Sequence, residues 1–154
     1  MADLAAITER EVALIAHFID LLKAEQESLR STDPTALPDI ATAKIALVEQ
    51  LNDLESERRS ALGISSEEKT RAAMDTWLAA NPAQRTAAIN WQKLLELADE
   101  ARQLHQLNAG LVSLHLQRTN EAMTILNTRA AGETLYGSDG QAAPPSGSRI
   151  VDSA

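Results

Sequence analysis

The sequence predicts an all-α protein: an elongated antiparallel helical bundle or coiled coil of three long helices and one short one, followed by a flexible C-terminal tail. Three observations carry that prediction. Ala, Leu, Glu, Gln and Arg dominate the 154 residues and aromatics make up only 3%, so the core has to be built from Leu, Ile, Val and Ala. Apolar residues recur at three- and four-residue steps along most of the chain, which lines one face of a helix. Glycine is absent between Gly63 and Gly110, then clusters with Pro144 and Pro145 beyond residue 130. By length the chain is one domain with a modest core.

The first helix is read from Asp3 to Ser31. Leu4, Ile7, Leu14, Phe18, Leu21, Leu22 and Leu29 form its stripe, with Glu11 and Glu25 interrupting it. Thr32-Asp33-Pro34 stops it, because a residue preceding proline is pushed out of the helical region. A second helix starts between Pro34 and Pro38 and ends at Leu62, with Gly63 just past its end. Its stripe, Leu37, Ile40, Lys44, Leu47, Leu51, Leu54, Arg58 and Leu62, keeps a heptad rhythm. Lys44 and Arg58 lie within the stripe, where their aliphatic stems are expected to snorkel along the seam.

Ser65-Ser66-Glu67-Glu68 reads as a capping box, Ser65 pairing with Glu68, that opens a short helix to Ala80 anchored by Trp77 and Leu78. Asn81-Pro82 then reads as an N-cap with proline at the first helical position. The last helix continues to about Arg129 through Gly110, with a stripe of Leu94, Leu97, Ala101, Leu104, Asn108, Leu111, His115, Arg118, Ala122 and Ile125. At ~1.5 Å per residue it reaches ~70 Å if unbroken, against ~40 Å for the first helix, so its far end is expected to lack neighbours. A second set of apolar residues, Leu95, Leu107, Leu114, Leu116, Met123 and Leu126, widens the stripe. Burial between two neighbouring helices accounts equally well for Leu95 and Leu107. Towards Leu126 a partner or self-association surface is the better account.

The tail, 130–154, changes composition completely: four glycines, two prolines and four serines leave it unable to form a packed helix. It holds two apolar spots, Leu135-Tyr136 and Ile150-Val151. These are either docking motifs or incidental residues of a disordered terminus. The expected division is therefore a helical domain, 1–129, and a tail, 130–154.

The formal net charge of −8 and pI of 4.8 oppose binding to a nucleic-acid backbone, and no basic cluster offsets them. Cysteine is absent, so disulfides and thiolate metal sites are excluded. The opening Met-Ala-Asp-Leu lacks a basic segment before an apolar stretch, and no apolar run approaches ~18 residues. Neither a cleavable signal nor stable membrane insertion is expected. No phosphate-cradling glycine loop occurs. None of His17, His105 and His115 follows a Glu at i−3, and the last two lie ~15 Å apart along one helix, so no metal site, cofactor or catalytic constellation is read. The reading that remains is a protein that binds other proteins.

Several segments together resemble the FlgN family of flagellar type III export chaperones. They are Asn108-Ala109-Gly110-Leu111 on the last helix and Leu135-Tyr136-Gly137-Ser138-Asp139-Gly140-Gln141 in the tail. Arg149-Ile150 and Ser153-Ala154 close the chain, and Lys44, Leu47, Leu51, Glu55 and Arg58 belong to the second helix. The likeness covers nearly the whole chain, including its length, helix order, acidity and tail. It implies a cytoplasmic chaperone, transiently at the membrane export apparatus. Such a chaperone binds the C-terminal helices of hook-associated (hook–filament junction) proteins, prevents their premature assembly and delivers them to the export gate. It implies that the client is held by 108–129; the apolar rows narrow this to Leu107, Asn108, Leu111, Leu114, Met123, Ile125 and Leu126. It further implies that Leu135, Tyr136 and Gly137 dock on the cytoplasmic domain of the export gate, with the export ATPase complex as a further partner. The chaperone is expected to be a monomer or weakly self-associating. Two rivals stay open: a coiled-coil adaptor and a regulatory binding protein, each without a secretion role.

Overall fold

The computed structural model describes residues 3–65 and 68–135, with side chains up to residue 129. Among the described residues four helices follow one another: α1 (Leu4–Arg30), α2 (Leu37–Leu62), α3 (Thr70–Ala80) and α4 (Arg85–Leu135). The chain packs as two units, Met1–Leu111 and Val112–Ala154.

In the first unit, the signals that bound α1 and α2 are local ones. Asp3 Oδ1 accepts from the Ala5 N–H at 2.9 Å, satisfying an orphan donor of the first turn. Gly63 closes α2 at φ 68°, the left-handed conformation in which its N–H reaches back to the last carbonyls. Leu4, Ile7, Ile19, Leu22 and Leu29 of α1 are buried, as are Ile40, Leu47 and Leu54 of α2.

The charged residues that break both stripes meet across the helix pair. Glu11 is hydrogen-bonded to Arg58, and Glu25 accepts from Lys44 Nζ at 2.9 and 3.1 Å. Fourteen residues separate the two glutamates on α1 and the two cations on α2, so both pairs form in one antiparallel register. The snorkelling expected of Arg58 is therefore corrected, because its head is buried, whereas the Lys44 side chain stays partly exposed while it pairs with Glu25. Arg58 is buried against Glu11 and stacks 5.0 Å above the Trp91 ring, and Lys44 sits half-buried against Glu25.

Between Arg85 and Leu111, α4 runs alongside α1 in the same sense. Asn90 Nδ2 donates to the Ala5 carbonyl at 3.1 Å and, further along, Asn108 Nδ2 to the Leu22 carbonyl at 2.9 Å. The antiparallel α2 makes this possible by returning the chain to the start of α1, where the last residues of α2, Ala61 and Leu62, pack together with the short α3. There Leu4, Met74, Trp91 and Leu94 form one buried cluster, with Trp77, Leu78 and Leu95 packed against it. Met74, not Trp77 or Leu78, is the fully buried anchor of α3. Ile19, Leu22 and Ala101 form a second cluster further along α1 and α4.

Both caps read between α2 and α4 are overturned. α3 begins at Thr70, with no side-chain cap, so Ser65 and Glu68 do not open it. Instead Arg59 Nη1, from the last turn of α2, donates to the carbonyls of Ser65 and Glu68 at 3.0 and 2.9 Å. Asn81 caps the end of α3 rather than the start of α4: its Nδ2 donates to the Trp77 carbonyl at 2.8 Å, and its carbonyl accepts from Gln84 N–H. α4 begins only at Arg85, is unbroken at Gly110 and extends past Arg129 to Leu135.

Candidate protein-binding face

Residues 112–129, in the second unit, present an unusual surface. Val112, Leu114, Leu116, Met123, Ile125 and Leu126 are 40–60% exposed on a continuous helix. An isolated exposed leucine is ordinary, but a repeated set on one helix marks a surface awaiting a partner. At about 100° per residue these side chains divide between two faces. Val112, Leu116, Met123 and Leu126 share one, with Thr119 between them at the same four–three–four–three spacing. Leu114 and Ile125 share the other, in line with Arg118, Glu121 and Arg129.

The two faces differ in chemistry. The first is a two-heptad seam without a charged residue, edged on one side by Ser113, Asn120 and Asn127. The second places Ile125 between Glu121 and Arg129, each four residues away, with Arg118 one turn further back. Glu121 accepts a hydrogen bond from Gln117 at 3.2 Å.

The residues singled out from sequence therefore separate. Met123 and Leu126 lie on the charge-free seam, together with Val112 and Leu116, which the earlier selection lacks. The signal that locates those two is the heptad spacing itself. Leu114 and Ile125 lie on the charged face. In the first unit, Leu107 is 58% exposed and Leu111 half-buried. Asn108 is only 2% exposed and committed to the bundle: Nδ2 donates to the Leu22 carbonyl and, at 2.8 Å, to Glu25 Oε1. It completes the Glu25–Lys44 pair and is closed to a partner. Leu95 is half-buried against the first core cluster, so of the two ambiguous leucines only Leu95 is accounted for by packing within the chain. The Leu135 side chain, Tyr136 and Gly137 lie outside the described residues.

Among the described residues no three metal-ligating side chains come together, and no helix is long and apolar enough to cross a membrane. A packed helical unit, together with exposed apolar faces on 112–129, defines a helical protein with a surface of the protein-binding kind. The chain belongs to the FlgN family of flagellar chaperone and synthesis proteins: the family profile, described as FlgN protein, matches residues 1–144. It is similar to the flagella synthesis protein FlgN of Salmonella typhimurium strain LT2, with 27% identity over 143 residues, 92% of this chain and 91% of that one. A shorter match joins it to the flagella synthesis protein FlgN of Yersinia enterocolitica, 42% identical over 55 residues. That match covers 36% of this chain and spans only 37% of the relative's length. No solved structure matches the chain.

Proposed function

We propose that this chain is a cytoplasmic flagellar export chaperone that covers the C-terminal amphipathic helices of hook-associated proteins and brings them to the export gate. The observation that carries the reading is the exposed, charge-free heptad seam of Val112, Leu116, Met123 and Leu126. Junction subunits assemble by pairing apolar helix faces with copies of themselves. A seam of this kind covers such a face temporarily, as a coiled-coil partner. Two heptads bury little area, which suits a client that must be released again. Delivery is assigned to Leu135, Tyr136 and Gly137, by the resemblance of that segment to its counterpart in the family. The export ATPase complex is the further docking partner in this reading.

Binding of a synthetic peptide from the C-terminal helix of a hook-associated protein tests the client half. Leu116→Glu and Met123→Glu are expected to weaken it at least about tenfold, because a carboxylate in a helix seam costs several kcal/mol unless paired. The fold is expected to persist, since both side chains are exposed. Leu114→Glu, on the other face, is the control and is expected to change little. Unaltered binding in the seam variants rejects this site, and a stable dimer in sedimentation favours the adaptor reading. For delivery, Tyr136→Ala is expected to weaken binding to the isolated cytoplasmic gate domain while leaving the client peptide bound as before.

A further inference from the structure

The face of α4 that carries Leu114, Arg118, Glu121 and Ile125 is left unassigned by a client that occupies the seam. We infer that its occupant is a second copy of this chain, held antiparallel through the same four residues. The contact stands apart from the function proposed above; only its consequence for clients rests on that reading.

Three features single out this occupant. The first is order. The four residues are spaced four, three and four apart, so the spacing is the same read from either end. Turning a second helix end for end about the point between Thr119 and Asn120 sets Leu114 opposite Ile125 and Arg118 opposite Glu121. The interface is isologous, so each pairing occurs twice. Apolar residues therefore meet at both ends and opposite charges at the centre. Gln117 and Ala122, which flank the face without charge, fall opposite each other by the same count. A parallel pair instead sets Arg118 against Arg118 and Glu121 against Glu121, so charge selects the antiparallel sense. Arg129 lies outside the paired stretch, so no third cation enters it.

The second feature is that these charges are not committed elsewhere. In the first unit, acid and base residues three or four apart on one helix pair with each other: Glu55 with Arg59 at 3.2 Å and Asp99 with Arg102 at 3.4 Å. Arg118 and Glu121 are also three apart, yet neither has an ion-pair partner among the described residues. Glu121 accepts from the uncharged Gln117, and Leu114 and Ile125 on either side are exposed.

The third is the direction of the face. At about 100° per residue it points roughly 150° away from the Val112–Leu126 seam, nearly the opposite side of the helix. A copy seated here leaves both seams uncovered. A copy seated on the seam finds no charge there to fix its register. An unrelated helix has to carry the same four residue types in reverse order, whereas a second chain supplies them by symmetry.

The association is weak by construction. The paired stretch, 114–125, is only ~17 Å long at ~1.5 Å per residue. It buries well under the about 800 Å² per partner that stable complexes use. The chain is therefore a monomer when dilute and pairs reversibly when locally concentrated. Each pair presents two open seams, so two clients are held at once.

Sedimentation equilibrium of the full-length chain from about 10 µM to about 1 mM reads the association, which is expected to appear only towards the upper end. Arg118→Glu and Glu121→Arg, each alone, place like charges at both central pairs and are expected to weaken it at least about tenfold. An equal mixture of the two variants is expected to regain the original strength, since one chain then offers two carboxylates and the other two guanidiniums. Both variants stay acidic overall, so net attraction does not account for that recovery. Leu116→Glu, on the seam, is expected to leave association unchanged. A monomer at every concentration overturns the proposal and gives the face to another protein. So does a mixture no stronger than either variant alone, or loss of association in Leu116→Glu, which moves the contact to the seam. Two client peptides bound per pair support both readings. Association intact in a chain that binds no client peptide keeps the contact and rejects the client role, and a peptide that separates the pair overturns the assignment of opposite faces.

Discussion

Glu11 and Arg58 show how a charge pair sets helix register at a cost. Both are nearly fully buried, and Glu11 Oε1 and Arg58 Nε have no hydrogen-bond partner among the described residues, so the pair is only partly compensated for its lost hydration. Burial raises the Glu11 carboxyl above its usual value, although the Arg58 charge and hydrogen bond pull it down. A raised folded value means that the folded state holds the proton more tightly than the unfolded one. The contribution of Glu11 to stability is therefore greatest below the unfolded carboxylate value and declines as pH rises through the folded value. Arg58→Ala strands a buried carboxylate and is expected to cost about 3–5 kcal/mol at pH 7. Part of that loss should return near pH ~4, where the stranded group takes up its proton. Replacing both members by apolar residues, as in Glu11→Leu with Arg58→Met, is expected to be near neutral or stabilising. Urea unfolding at the two pH values decides the matter: an equal loss at both, or a double variant as unstable as Arg58→Ala, contradicts this account.

At the scale of the helix, two glycines with opposite roles give paired expectations. Gly63 holds φ 68°, so Gly63→Ala is strained whatever the surrounding space and is expected to cost about 1 kcal/mol. Gly110 lies inside α4, where an added Cβ meets nothing within 4 Å, so Gly110→Ala is expected to stabilise by about 0.5–1 kcal/mol. Thermal unfolding of the two variants should shift in opposite directions, and a destabilised Gly110→Ala would mean that a bend there matters. These two positions also show what the sequence makes legible. The bounds of α1 and α2 come within a residue or two of the structure because Asp3, Pro34, Pro38 and Gly63 act on their own turns. The caps at Ser65 and Asn81 are misread because the deciding partners are a side chain from α2 and the last turn of α3. Charge pairing across α1 and α2 is readable in retrospect, from matching fourteen-residue gaps in two otherwise apolar stripes. On α4, exposure is legible from helix length alone, whereas the split into two faces requires the helical angle of each leucine. The burial of Asn108 follows from its partner Leu22, eighty-six residues away, and no local pattern announces it.

Across the whole molecule, apolar burial and apolar exposure belong to different units. Both buried clusters lie within Met1–Leu111, while Val112, Leu116, Met123, Ile125 and Leu126 face solvent. Formal charge divides as well: residues 112–129 hold only Arg118, Glu121 and Arg129, a net +1 within a chain of net −8, so all of the net acidity that keeps the chain dispersed lies elsewhere. A helix without tertiary burial is held by propagation alone, and its opening free energy falls towards the unpacked end. Backbone amides of 112–129 are accordingly expected to exchange with deuterium at least about a hundredfold faster than those of Leu22, Leu54 and Leu94, because buried core segments open only with free energies near the global value. A client helix seated on the Val112–Leu126 seam replaces the missing burial. It should slow exchange across 112–129 and leave the core amides unchanged, since the core is already packed without it. Uniform protection along α4 in the free chain would show that 112–129 is stabilised by something other than a client, and protection by peptide confined to residues before 112 would move the client site into the bundle.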